Sequence, residues 1–170
     1  MNINIFFLIL ASGLFMIFFF FKPLNIKQQK FEDIPLFELE KFKLIELNNA
    51  GLTTILDGTK GIKYSDRYEI FNVDYTDNTK SYLANMKANS GLYKGNTIDL
   101  NGNVVYSRED GLTFKTQKAT YNKKTSIAKS NTSYVSYLGE NKIEGSYIKY
   151  NSLTKVLGSK NIKASYKLNN

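Results

Sequence analysis

The side chains available for chemistry in this 170-residue chain are few in kind, because it contains neither cysteine nor histidine. Thiolate nucleophiles, imidazole bases and the usual zinc and copper ligand sets are therefore excluded, and we predict no metal site and no cofactor. Paired carboxylates could still hydrolyse a glycan. Asp110-Gly111 and Glu140-Asn141 have the composition of turns. Because the chain also lacks imidazole and thiolate groups, we predict no catalytic residue and no enzyme. The candidate acids are Asp99, Glu109, Asp110, Glu140 and Glu144.

Lysine dominates the positive charge of the chain. The formal net charge is +8, and Arg67 and Arg108 are the two arginines. Such a balance attracts anions, which include nucleic acid, acidic lipid headgroups and acidic glycans. The basic residues are spread along the chain without an aromatic-basic motif, so we predict no nucleic-acid partner. The stretches GLYKGNT and GTKG lack the spacing of a P-loop, so any driving energy must come from a partner. The densest basic group is Lys115, Lys118, Lys123 and Lys124.

The chain begins with an apolar segment, INIFFLILASGLFMIFFFF, which carries no charge from Ile3 to Phe21. As a helix it would reach about 28 Å, close to the thickness of a bilayer core. It lacks a basic n-region and an A-x-A site, which favours an uncleaved anchor over a cleaved signal peptide. Lys22, Lys27 and Lys30 follow it, and the positive-inside rule taken alone would place that side in the cytoplasm. We therefore predict an anchor over residues 1–21, a linker over 22–36 and a folded domain over 37–170.

The predicted domain is all-β. Short runs such as YEIFNVDY, IDLNGNVVY and YVSYLG alternate apolar and polar residues and are separated by Asn, Gly, Asp and Ser. A period of 28 or 29 residues is also present. Tyr64, Tyr93, Tyr121 and Tyr150 follow it, and five positions before each stands a small residue: Thr59, Ala88, Thr116 or Gly145. A unit of this length cannot bury its apolar face alone, so the copies must share one core.

The stretch TIDLNGNVVY, residues 97–106, predicts a bent strand. Ile98, Leu100, Val104 and Tyr106 have one parity and can face one side, while Gly102 leaves room for a bend. A bent strand can contribute to both walls of a groove. The alternative is that these residues pack the core of a closed jelly roll.

Three stretches, MKANSGLYKGNTIDLNGNVVY, LTFKTQKATY and IEGSYIKY, resemble the OstA-type repeat of lipopolysaccharide transport proteins. With the N-terminal apolar segment, the chain resembles the LptC family over about residues 37–168. The resemblance implies an open β-jellyroll whose two sheets enclose an apolar groove, held in the periplasm by one transmembrane helix in the inner membrane. It also implies that lipopolysaccharide arrives from the ABC transporter formed by LptB, LptF and LptG and leaves to a soluble LptA-like bridge protein.

Within this reading, lysines at the groove mouth would meet lipid phosphates, although most lysines of a β protein serve solubility and block edge pairing. Two alternatives are a soluble bridge-type homologue with a signal segment and a structural envelope β module without lipid transfer. The predicted groove lining is Phe42, Leu44, Phe71, Val73, Met86, Ile98, Leu100, Val104, Tyr106, Phe114, Val135, Ile143 and Ile162.

Both ends of an open jellyroll should pair with other chains. The run KNIKASYKL, Lys160 to Leu168, can present one apolar face, and Phe37 to Leu47 forms the opposite edge. The resemblance assigns the C-terminal edge to the bridge protein and the N-terminal edge to the transporter. The predicted C-terminal edge residues are Ile162, Ala164, Tyr166 and Leu168.

Overall fold

The computed structural model describes Met16 and residues 33–49, 51–79 and 81–167. All its strands lie in the compact unit Phe31–Asn170. They form one antiparallel sheet of twelve strands, which confirms the all-β prediction. The strands are β1 Phe37–Asn48, β2 Gly51–Lys63, β3 Arg67–Asp77, β4 Ala84–Lys94, β5 Thr97–Arg108, β6 Leu112–Asn122, β7 Ile127–Ser130, β8 Tyr134–Leu138, β9 Asn141–Gly145, β10 Tyr147–Asn151, β11 Leu157–Lys160 and β12 Lys163–Ser165.

Strand pairing divides this sheet into two walls. Strands β1 to β6 pair in sequence order along their length. Beyond β6 the pairing splits, because β7, β10 and β11 continue one half of the sheet while β8, β9 and β12 continue the other. The first wall therefore comprises residues 37–40, 60–63, 67–71, 90–94, 97–101 and 118–122 with β7, β10 and β11. The second wall comprises residues 42–48, 51–58, 73–77, 84–88, 104–108 and 112–116 with β8, β9 and β12.

The long strands bend between the two walls. On β1, β3 and β5 the bend contains left-handed residues, namely Lys41 (φ 47°), Asn72 (φ 51°) and the pair Gly102 (φ 74°) and Asn103 (φ 47°). Strand β5 also carries one extra residue there, because Asn101 pairs with Lys118 while Val104 pairs with Thr116. Such a bulge lets a strand change direction and keep its partner. The prediction of a bend at Gly102 is confirmed.

The bend also changes which residues face inward. Ile70 and Val73 both pack in the same hydrophobic cluster. Phe71 and Asn72, the two residues between them, therefore lie together on the opposite side, which strict alternation would forbid. We call the side of the sheet that carries Val73, Ala88 and Val104 the inner face, and the other side the outer face.

Charged residues occupy the outer face of the second wall. Lys43 pairs with Asp57 at 3.4 Å and Lys87 with Asp74 at 2.9 Å. Each pair joins neighbouring strands, so these contacts support the sheet, although exposed ion pairs contribute little to the free energy of unfolding. The complete outer row, from strand to strand, is Lys43, Asp57, Asp74, Lys87, Val105, Lys115, Val135, Glu144 and Lys163.

The predicted anchor, residues 1–21, lies outside the described residues apart from Met16. Among the residues that are described, no helix combines the length and apolar character needed to cross a bilayer. At the other end, the predicted C-terminal run is interrupted. Asn161 is left-handed (φ 52°) and separates β11 from β12.

Candidate functional site

The inner face is built from rows of residues that lie opposite each other on neighbouring strands. The row nearest the bend, which we call the bend row, alternates large and small side chains, so that each large group covers a small neighbour. Its residues are Phe42, Gly58, Val73, Ala88, Val104, Thr116, Tyr134 and Gly145, where Gly58 lies next to Val73 and Ala88 next to Val104 because the adjacent pairs Asp57–Asp74 and Lys87–Val105 fix the register.

Close contacts show that the two walls meet along this bend row. A Cβ added at Gly61, in the first wall, would lie 2.8 Å from the Phe42 ring of the second wall. One added at Gly91 would lie 3.2 Å from Val73 Cγ2. Among the described residues, Val104 is the largest side chain that is almost fully buried, at 1% exposure. The core of the domain therefore follows the bend, where small residues let the walls approach.

Hydroxyl groups join the two walls in the C-terminal half. The Tyr134 and Ser159 hydroxyls lie 2.7 Å apart, and the Ser159 hydroxyl donates to the Tyr147 carbonyl at 2.7 Å. The buried Thr116 and Ser130 hydroxyls are 2.9 Å apart. These bonds satisfy polar groups that would be costly to bury alone, and they hold the interrupted strands in place.

Beyond the bend row most inner-face residues are half-buried, although Ala84 at the far end of β4 is 4% exposed. The next row of the second wall is half-buried over most of its length and almost entirely apolar. Because its side chains pack on one side only, this surface is accessible to an apolar ligand. Its members are Leu44, Leu56, Tyr75, Met86, Tyr106, Phe114, Ser136, Ile143 and Ala164.

The inner face of the first wall carries two rows. The one next to the bend comprises Leu39, Gly61, Ile70, Gly91, Leu100 and Ala119. The one at the free margin, which we call the rim row, comprises Phe37, Lys63, Tyr68, Tyr93, Ile98, Tyr121, Ala128, Tyr150 and Leu157.

More than half of the rim row is aromatic, and the row is partly exposed. Tyr68 is 41% exposed and Tyr121 36%. Tyr68 stacks on Tyr93 with ring centroids 6.0 Å apart. Lys63 Nζ lies 5.2 Å from the Tyr68 centroid and Lys123 Nζ 4.4 Å from the Tyr93 centroid.

The 28-residue period of the sequence places one residue of each repeat in the rim row and one in the bend row. Tyr93, Tyr121 and Tyr150 lie in the rim row, and the small residues five positions earlier lie in the bend row. The first copy is displaced by one residue. Gly58 and Lys63 occupy its two places, while Tyr64 falls outside the strands.

A polar cluster closes the far margin of the second wall. Arg108 lies over the Tyr82 ring at 4.4 Å and pairs with Asp110, which lowers the pKa of that carboxyl. Burial, reinforced by Tyr82, raises the pKa of Tyr106 to about 12. The Tyr106 phenol is therefore uncharged at neutral pH and contributes an amphipathic ring to the inner face.

The structure places most of the predicted groove residues on the inner face, but not all. Phe71 pairs with Lys60 and Ser90, and Val135 with Lys115 and Glu144, so both lie on the outer face. Ile162 lies between β11 and β12 and is exposed. Leu56, Ile70 and Tyr75 pack inside and were not predicted. The other predicted residues lie on the inner face, and their contact with lipid stays a prediction: Phe42, Leu44, Val73, Met86, Ile98, Leu100, Val104, Tyr106, Phe114 and Ile143.

The predicted C-terminal edge is only partly a strand. Ala164 pairs with Ile143 in β12, whereas Ile162 and Tyr166 lie outside the strands and are exposed. Leu168 lies outside the described residues.

The dense lysine group of the sequence is dispersed by the fold. Lys115 lies in the outer row, Lys118 pairs with Asn101 beside the bend, and Lys124 lies in the turn after β6. Lys123 alone of the four reaches an aromatic ring of the rim row.

Four of the five candidate acids have side-chain partners, and Asp110 with Arg108 is one of these pairs. Asp99 accepts a hydrogen bond from Thr120 at 2.6 Å, and Glu144 pairs with Lys142 at 2.6 Å. Glu140 pairs with Lys167 at 2.5 Å. Within the described part of the chain, no group of three or more acidic residues could hold a metal ion. A shallow depression of about 320 Å³ beside the bend has polar residues for most of its lining, which comprises Lys41, Phe42, Lys43, Asp57, Gly58, Thr59 and Asn72.

A family model described as lipopolysaccharide-assembly, LptC-related, matches residues 5–167, which is nearly the whole chain. No curated protein matched the chain.

Proposed function

The chain belongs to the LptC family, a non-enzymatic component of lipopolysaccharide transport, and from this premise we propose that it carries the acyl chains of lipopolysaccharide on the inner face of its bent sheet. The observation that carries the proposal is the apolar row from Leu44 to Ala164. Its members from Leu56 to Ile143 are half-buried, although the members of the bend row beside them, from Val73 to Tyr134, are buried.

The energetic reason for such a surface is the cost of exposing acyl chains to water. Exposing one acyl chain of about twelve carbons to water costs roughly 10 kcal/mol, at about 0.8 kcal/mol per methylene. A lipid with several chains therefore crosses an aqueous gap slowly unless protein covers them. An antiparallel sheet bent along its middle presents two apolar walls to the same ligand.

We further propose that the apolar segment Ile3–Phe21 anchors the protein in the inner membrane and that the β domain lies in the periplasm. A C-terminal fusion to a reporter enzyme that works only outside the cytoplasm should be active. Activity of a cytoplasm-only reporter at the same position would contradict this topology.

The two edges of the sheet support the proposed hand-over. Strand β1 is an edge strand of 12 residues with Leu44, Ile45 and Leu47 exposed, and a long edge of this kind pairs readily with another strand. We assign it to the β domains of the transporter that contains LptB, LptF and LptG. The opposite edge, β11 with β12, is assigned to the LptA-like bridge protein. Deleting residues 160–170 should then abolish transfer to the bridge and spare association with the transporter.

Lipid binding itself can be tested with matched substitutions on the two faces. The full chain is purified in mild detergent, and bound lipopolysaccharide is quantified by mass spectrometry. The pair Met86→Gln and Phe114→Gln, on the inner face, should reduce the bound lipid at least tenfold, since two apolar contacts are lost. The pair Val105→Gln and Val135→Gln, on the outer face of the same wall, is the control. Equal losses from both pairs would contradict the proposal.

A further inference from the structure

Two lysines, Lys63 of the rim row and Lys123 just after β6, lie beside the tyrosines of the rim row. In the described part of the chain, neither Lys63 nor Lys123 makes an ion pair, and each lies instead against aromatic rings. Lys63 Nζ is 6.0 Å from the Phe37 centroid and 5.2 Å from that of Tyr68. The two ammonium groups therefore bracket the stacked pair Tyr68 and Tyr93.

Neighbouring cations at the same margin of the first wall are neutralised. Arg67 pairs with Asp33 at 3.0 Å, Asp66 at 3.1 Å and Glu69 at 2.8 Å. Lys94 pairs with Asp66, and the two contacts lower the pKa of the Asp66 carboxyl. Lys63 and Lys123 thus differ from these groups in keeping their charge available for an anion.

We propose that Lys63 and Lys123, with Tyr68 and Tyr93 between them, form a subsite for the phosphorylated sugar headgroup of an acylated lipid. The proposal rests on the proposed function and adds to it the place of the headgroup. Ammonium groups bind phosphate oxygens as point charges, and aromatic rings offer a flat apolar surface to a sugar ring.

The position of the subsite fits an amphiphile better than a free anion. Ile98 continues the rim row beside Tyr93, and Leu100 lies two residues further toward the bend on the same face. A lipid whose acyl chains cover Leu100 and the apolar row of the second wall would therefore hold its headgroup at the rim. Charge and apolar surface are contiguous there, as the two parts of an amphiphile are.

The test compares lipopolysaccharide with the same lipid after phosphatase treatment, each bound to the full chain in detergent. For Lys63→Gln with Lys123→Gln, we expect at least tenfold weaker binding of the phosphorylated lipid, because each lysine loses a charge-assisted contact. Binding of the dephosphorylated lipid should not change. The control, Lys129→Gln with Lys149→Gln, removes the same charge from an outer-face pair of opposed lysines and should bind both lipids as the unmodified chain does.

The outcomes separate this inference from the proposed function. If the unmodified chain binds both lipids equally well and the rim variant changes neither, the headgroup subsite is wrong while the apolar groove stands. If the chain binds neither lipid, the proposed function itself is wrong. Competition by millimolar inorganic phosphate alone, to the same extent as by the lipid, would show a free-anion site and overturn the proposal.

Discussion

Replacing Gly102 with alanine tests whether the bend of β5 is fixed by local geometry. Gly102 has φ of 74°, and a Cβ added there would lie 2.5 Å from Asn89 Nδ2 and 2.9 Å from Asn89 Cβ. A left-handed alanine costs about 1–2 kcal/mol, and a forced shift of a packed neighbour costs about 1–3 kcal/mol more. We therefore expect Gly102→Ala to lower the free energy of unfolding by about 3 kcal/mol.

Gly95 is the matched control for this substitution. It is also left-handed, with φ of 57°, but nothing lies within 4 Å of an added Cβ. Gly95→Ala should therefore cost only the backbone term, about 1–2 kcal/mol. Asn89→Gly removes the clash but has a cost of its own, so measured against Asn89→Gly alone the change Gly102→Ala should cost only the backbone term, about 1–2 kcal/mol.

Urea unfolding of the full chain in non-ionic detergent can measure these differences. The chain has 12 tyrosines and no tryptophan, so tyrosine fluorescence reports on the folded β domain. Equal losses at positions 95 and 102, or the same loss from Gly102→Ala with and without Asn89→Gly, would refute the assignment of the bend to close contact with Asn89.

Two further predictions concern buried groups. Val104→Ala should lower the free energy of unfolding by about 2 kcal/mol because it leaves a cavity where the two walls meet. Val105→Ala, on the outer face, should cost less than about 1 kcal/mol. Similar urea midpoints for the two variants would contradict this. Since burial raises the pKa of Tyr106 to about 12, the folded chain should lose stability as the pH rises from about 10 through 12. Burial also raises the pKa of Tyr75, so phenolate absorbance should show late-ionising tyrosines of which Tyr106→Phe removes the one near pH 12, and an unchanged titration would refute the assignment.

Alternation of apolar and polar residues predicts which face a residue occupies where a strand is regular, or where a bulge adds one residue and restores the alternation. In β5 the extra residue of the bulge restores parity, so Ile98, Leu100, Val104 and Tyr106 all reach the inner face as predicted. The Gly-Asn pair supplied a local signal for that bend, because left-handed backbone favours these residues.

Alternation predicts the wrong face where a strand bends without an extra residue. Counting back by two from Val73 selects Phe71, but two consecutive residues face outward at the bend of β3, and Ile70 lies inside instead. In β8, hydrophobicity favoured Val135 over Tyr134, yet Tyr134 is 5% exposed because its hydroxyl has a partner across the bend. Contacts between distant strands decided both cases, and no single segment of sequence contains them.

Site-specific crosslinking to lipopolysaccharide tests the central claim that the inner face holds the lipid. A photo-reactive residue is placed at Ile98 or Phe114 on the inner face, and at the adjacent outer-face positions Asp99 or Lys115 on the same strands. We predict lipid adducts from the two inner positions and background labelling from the two outer ones. Labelling of Asp99 and Lys115 that equals or exceeds that of their inner neighbours would contradict the claim.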